Sequence, residues 1–183
     1  MRAELIRHPG FPCEAVASIE VAAERSASGV LSLRYLLEGV TGGLLVPPPA
    51  APERTDELWK TTCFEAFVRS ADGEGYYELN VAPSSAWAAY RFDGYRAGMR
   101  PARDVVRPGI ALRRTGERLE LEAGVDLGAA DLPAEAPWRL GLSAVIQEVG
   151  GRTSYWALAH PGRRPDFHHA IGFARQLPVT ERP

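Results

Sequence analysis

Hydrophobic and polar residues alternate with a period of two along much of this chain. In Val30-Leu-Ser-Leu-Arg-Tyr-Leu-Leu-Glu38, Leu31, Leu33, Tyr35 and Leu37 fall on one face, and Ser32, Arg34 and Glu38 on the other. That is the pattern of a half-buried strand. Residues 117–126 repeat it, with Leu119, Leu121, Ala123 and Val125 inward. Further extended stretches are expected at residues 16–23, 62–70, 76–82, 87–92, 110–114, 138–148, 154–159 and 173–179. Ala71-Asp-Gly-Glu-Gly75, Thr115-Gly116 and Gly150-Gly151 supply the glycine-bearing turns that link antiparallel neighbours. Helical patterns are confined to residues 54–60 and a turn around 129–132, too short to form a layer. An all-β domain follows, a sandwich or barrel of antiparallel strands with short helical turns. One domain spans residues 1–183, and both termini are expected to fray.

Composition narrows the function. Apolar residues make up 45% and charged residues 24%, which excludes wholesale disorder. A net charge of −2 argues against a general nucleic-acid binder. No apolar run approaches the length of a membrane span. Cys13 and Cys63 make neither a disulfide framework nor a zinc site by themselves. The start, with charge and proline in its first ten residues, lacks a secretory pattern, so a cytoplasmic location is expected. Prolines at 47–49 and 52 mark a stiff surface crossover between sheets. Eight arginines between Arg91 and Arg118 face only Asp93, Asp104 and Glu117. Because Lys60 is the sole lysine, that excess reads as arginine usage in a solvated loop and receives little functional weight.

Chemistry concentrates in three segments. In Cys63-Phe-Glu-Ala-Phe-Val68, period two puts Cys63, Glu65 and Phe67 on one face and Phe64, Ala66 and Val68 on the other. In Tyr76-Tyr-Glu-Leu-Asn80, Tyr76, Glu78 and Asn80 share a face. Pairing of the two strands would gather Glu65, Glu78 and Asn80 into a polar patch, with Trp59 as an aromatic edge. Such a patch suits a sugar or polyol, whose hydroxyls need donors and acceptors and whose ring needs a flat apolar wall. Carboxylates exposed on a strand without any ligand are the plainer alternative. The third segment, residues 155–169, carries His160, His168 and His169 on a loop broken by Pro161, Gly162 and Pro165. Adjacent histidines in an extended segment point apart, so no metal is assigned there. A histidine that fixes the loop through a backbone carbonyl is the expected use. No nucleophile has a sequence-local base, and no cofactor fingerprint is present.

Leu58-Trp59, Cys63-Phe-Glu-Ala-Phe67, Tyr76-Tyr-Glu-Leu-Asn80, Pro83-Ser-Ser, Tyr155-Trp-Ala-Leu-Ala-His160 and Pro165-Asp-Phe-His-His169 with Phe173 together resemble the bacterial DOMON-like domain proteins. Those proteins are related to the family 9 carbohydrate-binding modules. The resemblance covers roughly residues 58–177 and implies a jelly-roll β-sandwich. It also implies two aromatic rings gripping a terminal saccharide, with a carboxylate and amides around it. Carried over by position, Trp59 and Phe167 are the rings, Glu65 the carboxylate, Asn80 a polar contact, and Gln147 the amide on a further strand.

Two positions depart from that pattern. Phenylalanine replaces tryptophan at 167, and Glu78 stands where sugar-binding members offer an arginine. Paired carboxylates repel unless one is protonated or a cation intervenes. The expectation is a non-catalytic module for a small sugar-like ligand, with Trp59, Glu65, Glu78, Asn80, Gln147, Phe167, His168 and His169 as its site. No cofactor, nucleic-acid or membrane partner is assigned, and the oligomeric state stays open. The alternatives are an acid/base enzyme using Glu65 or Glu78 with His168 or His169, and a haem-binding or interaction domain with Met99 or a histidine as axial ligand.

Overall fold

A computed structural model describes residues 1–179 as an antiparallel β-sandwich with short helical turns. The first sheet contains β1 (Arg2–Glu4), β3 (Val16–Arg25), β4 (Val30–Gly39), β9 (Gly109–Arg114) and β10 (Arg118–Asp126), in spatial order β1-β3-β4-β10-β9. The second is built on β5 (Cys63–Ser70), β6 (Tyr76–Val81), β7 (Trp87–Phe92), β11 (Trp138–Gln147) and β12 (Thr153–Ala157). It is completed by the short strands β2 (Ile6–Arg7), β8 (Arg100–Pro101) and β13 (Arg175–Leu177). Its order is β2-β12-β11-β5-β6-β7-β8, with β13 beside β11.

Alternation decides which side chains meet between the sheets. Leu31, Leu33, Tyr35 and Leu37 of β4, and Leu119, Leu121, Ala123 and Val125 of β10, are all buried there. They pack against Phe64, Ala66 and Val68 of β5 and Trp138, Leu140 and Ile146 of β11. Each large side chain so buried contributes about 1.5–3 kcal/mol.

Three expectations need correction. The amino terminus does not fray: β1 pairs with β3, and the Met1 ammonium donates to the Ala23 carbonyl at 2.7 Å. Residues 54–60 form no helix beyond a single 3₁₀ turn at Leu58–Lys60. Arg54 is drawn into tertiary contacts instead. Its backbone bridges Trp87, its guanidinium lies 4.3 Å over that ring, and it donates to the carbonyls of Ala89, Ala102 and Val105. Glu57 then takes a left-handed backbone (φ 62°), which no regular helix accommodates. The third correction concerns the outer side of the second sheet, which is buried as well.

Candidate functional site

The register of β5 against its neighbours brings the predicted polar residues together. Glu65 stands directly opposite Asn80 of β6 and Ser143 of β11, while Phe67 is opposite Glu78. Glu65 and Glu78 are therefore diagonal neighbours on one face. Ser143 Oγ donates to Glu65 Oε2 at 3.1 Å, and Asn80 Nδ2 donates to Glu78 Oε1 at 2.7 Å. Cys63 lies beside them, its thiol 3.7 Å from Asn80 Oδ1.

This face is covered rather than solvated. Glu65 is 3% exposed and Glu78 4%, so neither reading of them as surface carboxylates survives. A second cluster, with Leu58, Phe67, Tyr76, Tyr90, Phe92 and Phe173 at its centre, fills the space between the sheet and the loops above it. Gly141 permits the closest approach. A Cβ there would sit 3.1 Å from the Gly172 carbonyl, so the 3₁₀ turn Ala170–Gly172 rests directly on β11.

Two adjacent histidines diverge. His168 turns inward: its Nδ1 is 2.8 Å from Tyr76 Oη, and its Nε2 is 3.8 Å from Glu78 Oε2. His169 turns outward, where Nδ1 accepts from Ile171 N and caps the 3₁₀ turn. Among the described residues it makes no contact with either carboxylate, which removes it from the proposed acid/base pair. His160 fixes the loop through the Ile6 carbonyl at 2.7 Å. Met99 lies exposed between β7 and β8.

The aromatic rim is split. Trp59 is half-buried and meets Tyr90 edge-on at 5.9 Å between centroids. Phe167 is half-buried and leans on Tyr155 at 6.3 Å. Both pack against the same cluster, though they make no ring contact with one another. A cavity of about 460 Å³ opens on this side of the molecule, lined by Tyr76, Tyr95, His168, His169, Phe173 and Arg69 among others. Neither Trp59 nor Phe167 lines it. Gln147, half-buried at the far end of β11, has an Oε1 atom sealed from solvent and without a donor.

Sequence reasoning missed Arg96. It lies in the arginine-rich segment set aside as a solvated loop, on a tight turn in which Ala97 N donates to the Gly94 carbonyl. Its left-handed backbone (φ 52°) aims its N–H at Tyr76 Oη, 3.2 Å away. Its guanidinium donates to Asp166 Oδ1 at 2.9 Å, while Tyr95 Oη donates to Asp166 Oδ2 at 2.5 Å. The turn and the histidine loop are thereby clasped across the face. A usable signal existed: Asp93-Gly-Tyr-Arg-Ala-Gly98 is turn chemistry after a strand that pairs with β6.

Electrostatics follow from this burial. Loss of water, together with the charge of Glu78, raises the Glu65 carboxyl from 4.5 to about 8. Glu78 is raised too, by burial, with the Asn80 hydrogen bond and the Arg96 charge opposing. Burial lowers His168 to about 4, and Arg96 adds to that, so its ring is neutral. Burial alone would raise Asp166, but hydrogen bonds from Tyr95 and Arg96 overrule it and hold its carboxyl below the usual value. At neutral pH the face keeps a proton on its carboxyl pair.

No family model and no curated protein matches the sequence. Solved structures do resemble the fold. A candidate carbohydrate-binding protein from Bacteroides uniformis aligns at a TM-score of 0.67 and 14% identity, over 97% of this chain and 85% of its own. A family 9 carbohydrate-binding module from Caldicellulosiruptor kristjanssonii, in complex with glucose, aligns at 0.52 and 8% identity, over 98% and 86%. At such identities the likeness is one of architecture: the chain has the β-sandwich fold of a family 9 carbohydrate-binding module.

Proposed function

We propose that this protein is a non-catalytic binding module for a saccharide or polyol, of the DOMON-like kind. The observation that carries the reading is the outer face of the second sheet. There two hydrogen-bonded pairs, Ser143 with Glu65 and Asn80 with Glu78, lie side by side beneath a cluster edged by the half-buried rings of Trp59 and Phe167. Donors and acceptors beside apolar rings are what a sugar requires. The fold shared with a glucose-bound module supports the same reading. In the cytoplasm, the expected location, the ligand is a small sugar or a metabolite of that size. Because Glu65 and Glu78 are so nearly closed off, a ligand reaches them only when the covering loops shift.

Tryptophan fluorescence tests this directly. Trp87, Trp138 and Trp156 are buried and Trp59 is half-buried, so a ligand at the rim perturbs Trp59 first. A sugar from a monosaccharide panel should quench the emission and raise the melting temperature, and Trp59→Ala should lose the quenching. Unchanged emission and melting across the panel would overturn the reading.

A second reading, acid/base catalysis, is favoured by one contact, the approach of neutral His168 to Glu78. Turnover of a monosaccharide that is abolished by both Glu78→Gln and His168→Asn would establish it; its absence leaves the binding module.

A further inference from the structure

We infer that the ligand is a sugar acid, with its carboxylate held by Arg69 in the cavity lined by Tyr76, His168 and Phe173. The inference rests on the saccharide reading and adds the ligand's charge and the place that charge occupies. Its warrant is an arginine with donors to spare. Cys63, Glu65, Phe67 and Arg69 form one row along β5, and Arg69 is the half-buried end of it. The Arg69 guanidinium lies 4.8 Å from the centre of the Phe173 ring, and its Nη1 donates to the Gly73 carbonyl at 3.1 Å. Nε is sealed from water and has no acceptor, a state that native proteins rarely leave unanswered. Nη2 makes no hydrogen bond among the described residues. The uncommitted edge of the guanidinium is therefore Nε with Nη2, two parallel donors that match the two oxygens of a carboxylate.

Charge around this edge favours an anion. Arg139 of β11 stands directly opposite Arg69 and is exposed. Among the described residues neither arginine is in an ion pair. Like charges directly opposite across two strands repel, and an anion beside them relieves the repulsion. Asp72 and Glu74, on the turn after β5, are exposed; Glu74 lines the cavity, yet neither makes an ion pair with Arg69. Water screens carboxylates so placed. Asp166 is committed to Arg96 and Tyr95. Glu65 and Glu78 do not line the cavity, and burial raises both carboxyls.

The cavity suits the rest of a sugar. Its volume of about 460 Å³ lies within the range of about 300–1,000 Å³ usual for small-molecule sites. Tyr95 gives it an exposed ring, held in place by the bond from its hydroxyl to Asp166. His169 lines it as well. Because His169 Nδ1 accepts from Ile171 N, its Nε2 carries a proton, a donor with no partner among the described residues. A flat ring and a donor beside the arginine are what the sugar ring and its hydroxyls require.

The experiment is calorimetric titration of the intact chain at pH 7 with glucuronate and galacturonate, each set against its neutral parent, glucose or galactose, and with glucose 6-phosphate. At least one acid should bind about tenfold or more tightly than its parent. Arg69→Met, which keeps an apolar stem over Phe173, should erase that preference. Arg69→Lys, which keeps the charge without the paired donors, should restore little of it. Melting temperatures check that both variants fold. Equal affinity for each acid and its parent, or a preference that survives Arg69→Met, would overturn the sugar-acid inference and leave the saccharide module standing. Tighter binding of glucose 6-phosphate than of either acid would overturn the carboxylate in favour of a phosphate. No binding of any of the five would overturn the inference and the saccharide reading together.

Discussion

Strand β5 separates two buried regions of opposite character. Its Phe64, Ala66 and Val68 face the other sheet, in an interior that is nearly all hydrocarbon. Its Cys63, Glu65 and Phe67 face a layer of loops, in an interior that retains ionisable groups. Both sides are buried, but they are buried for different reasons. A sheet closes the first with side chains supplied by regular alternation. Loops close the second through a few side-chain clasps, notably Asp166 with Tyr95 and Arg96, and Asp56 with Tyr90. Sheet-on-sheet packing holds at about the global stability, whereas loops can open at lower cost. The region that can open is the one holding the buried carboxyls of Glu65 and Glu78.

The comparison is broken most severely from the hydrocarbon side. Leu121→Ala, at a position with no exposure, should cost about 2–5 kcal/mol in urea unfolding and leave the pH profile of stability unchanged. A cost below about 1 kcal/mol would mean that the sandwich interior is not the main source of stability.

The carboxyl side should respond to pH. Glu65 titrates at about 8 in the folded chain against an ordinary 4.5, so the native state keeps a proton that the unfolded chain has lost. Stability therefore falls as pH rises through that interval. His168 works in the other direction: with a folded value of about 4 against 6.5, it costs stability as pH falls below 6.5. Between pH 6.5 and 8 the carboxyl effect stands alone and should amount to about 2 kcal/mol at most. Glu65→Gln should flatten that segment and make the protein more stable than wild type at pH 8. An unchanged slope in the variant would show that Glu65 is not the titrating group.

Smaller effects sharpen the contrast. Asp166→Ala removes both clasping bonds and should cost about 1 kcal/mol, with faster amide exchange confined to residues 93–98 and 160–172. Exchange that rises equally across β4 and β10 would mean that the loops and the sandwich open together. Smallest of all, Arg34→Ala on the outward side of β4 breaks a solvent-exposed ion pair with Glu120 and should leave the unfolding midpoint where it is.

Much of the architecture was legible because a period of two translates directly into burial. The Leu31–Leu37 and Leu119–Val125 alternations predicted the interior residues of β4 and β10, and the faces of β5 and β6 were assigned correctly. Proximity of Glu65 to Asn80 and Glu78 followed once the two strands were paired. Residues outside regular elements were another matter. Arg54 was read as helical because local propensity cannot register three carbonyls waiting on distant segments. Arg96 was discounted because one arginine in a run of arginines carries no mark of where its turn will land.

Sequence alone determined the class of fold, the inward and outward sides of the main strands, and the proximity of Glu65, Glu78 and Asn80 once their strands pair. Each of these depends on spacing along one strand or on a single pairing. Tertiary structure decided that the patch is buried, that His168 turns in while His169 turns out, and that Arg96 lies near the carboxyl pair. Those outcomes depend on loops distant in sequence settling over one sheet face, and the energies that place them arise only from contacts between segments that no local pattern connects.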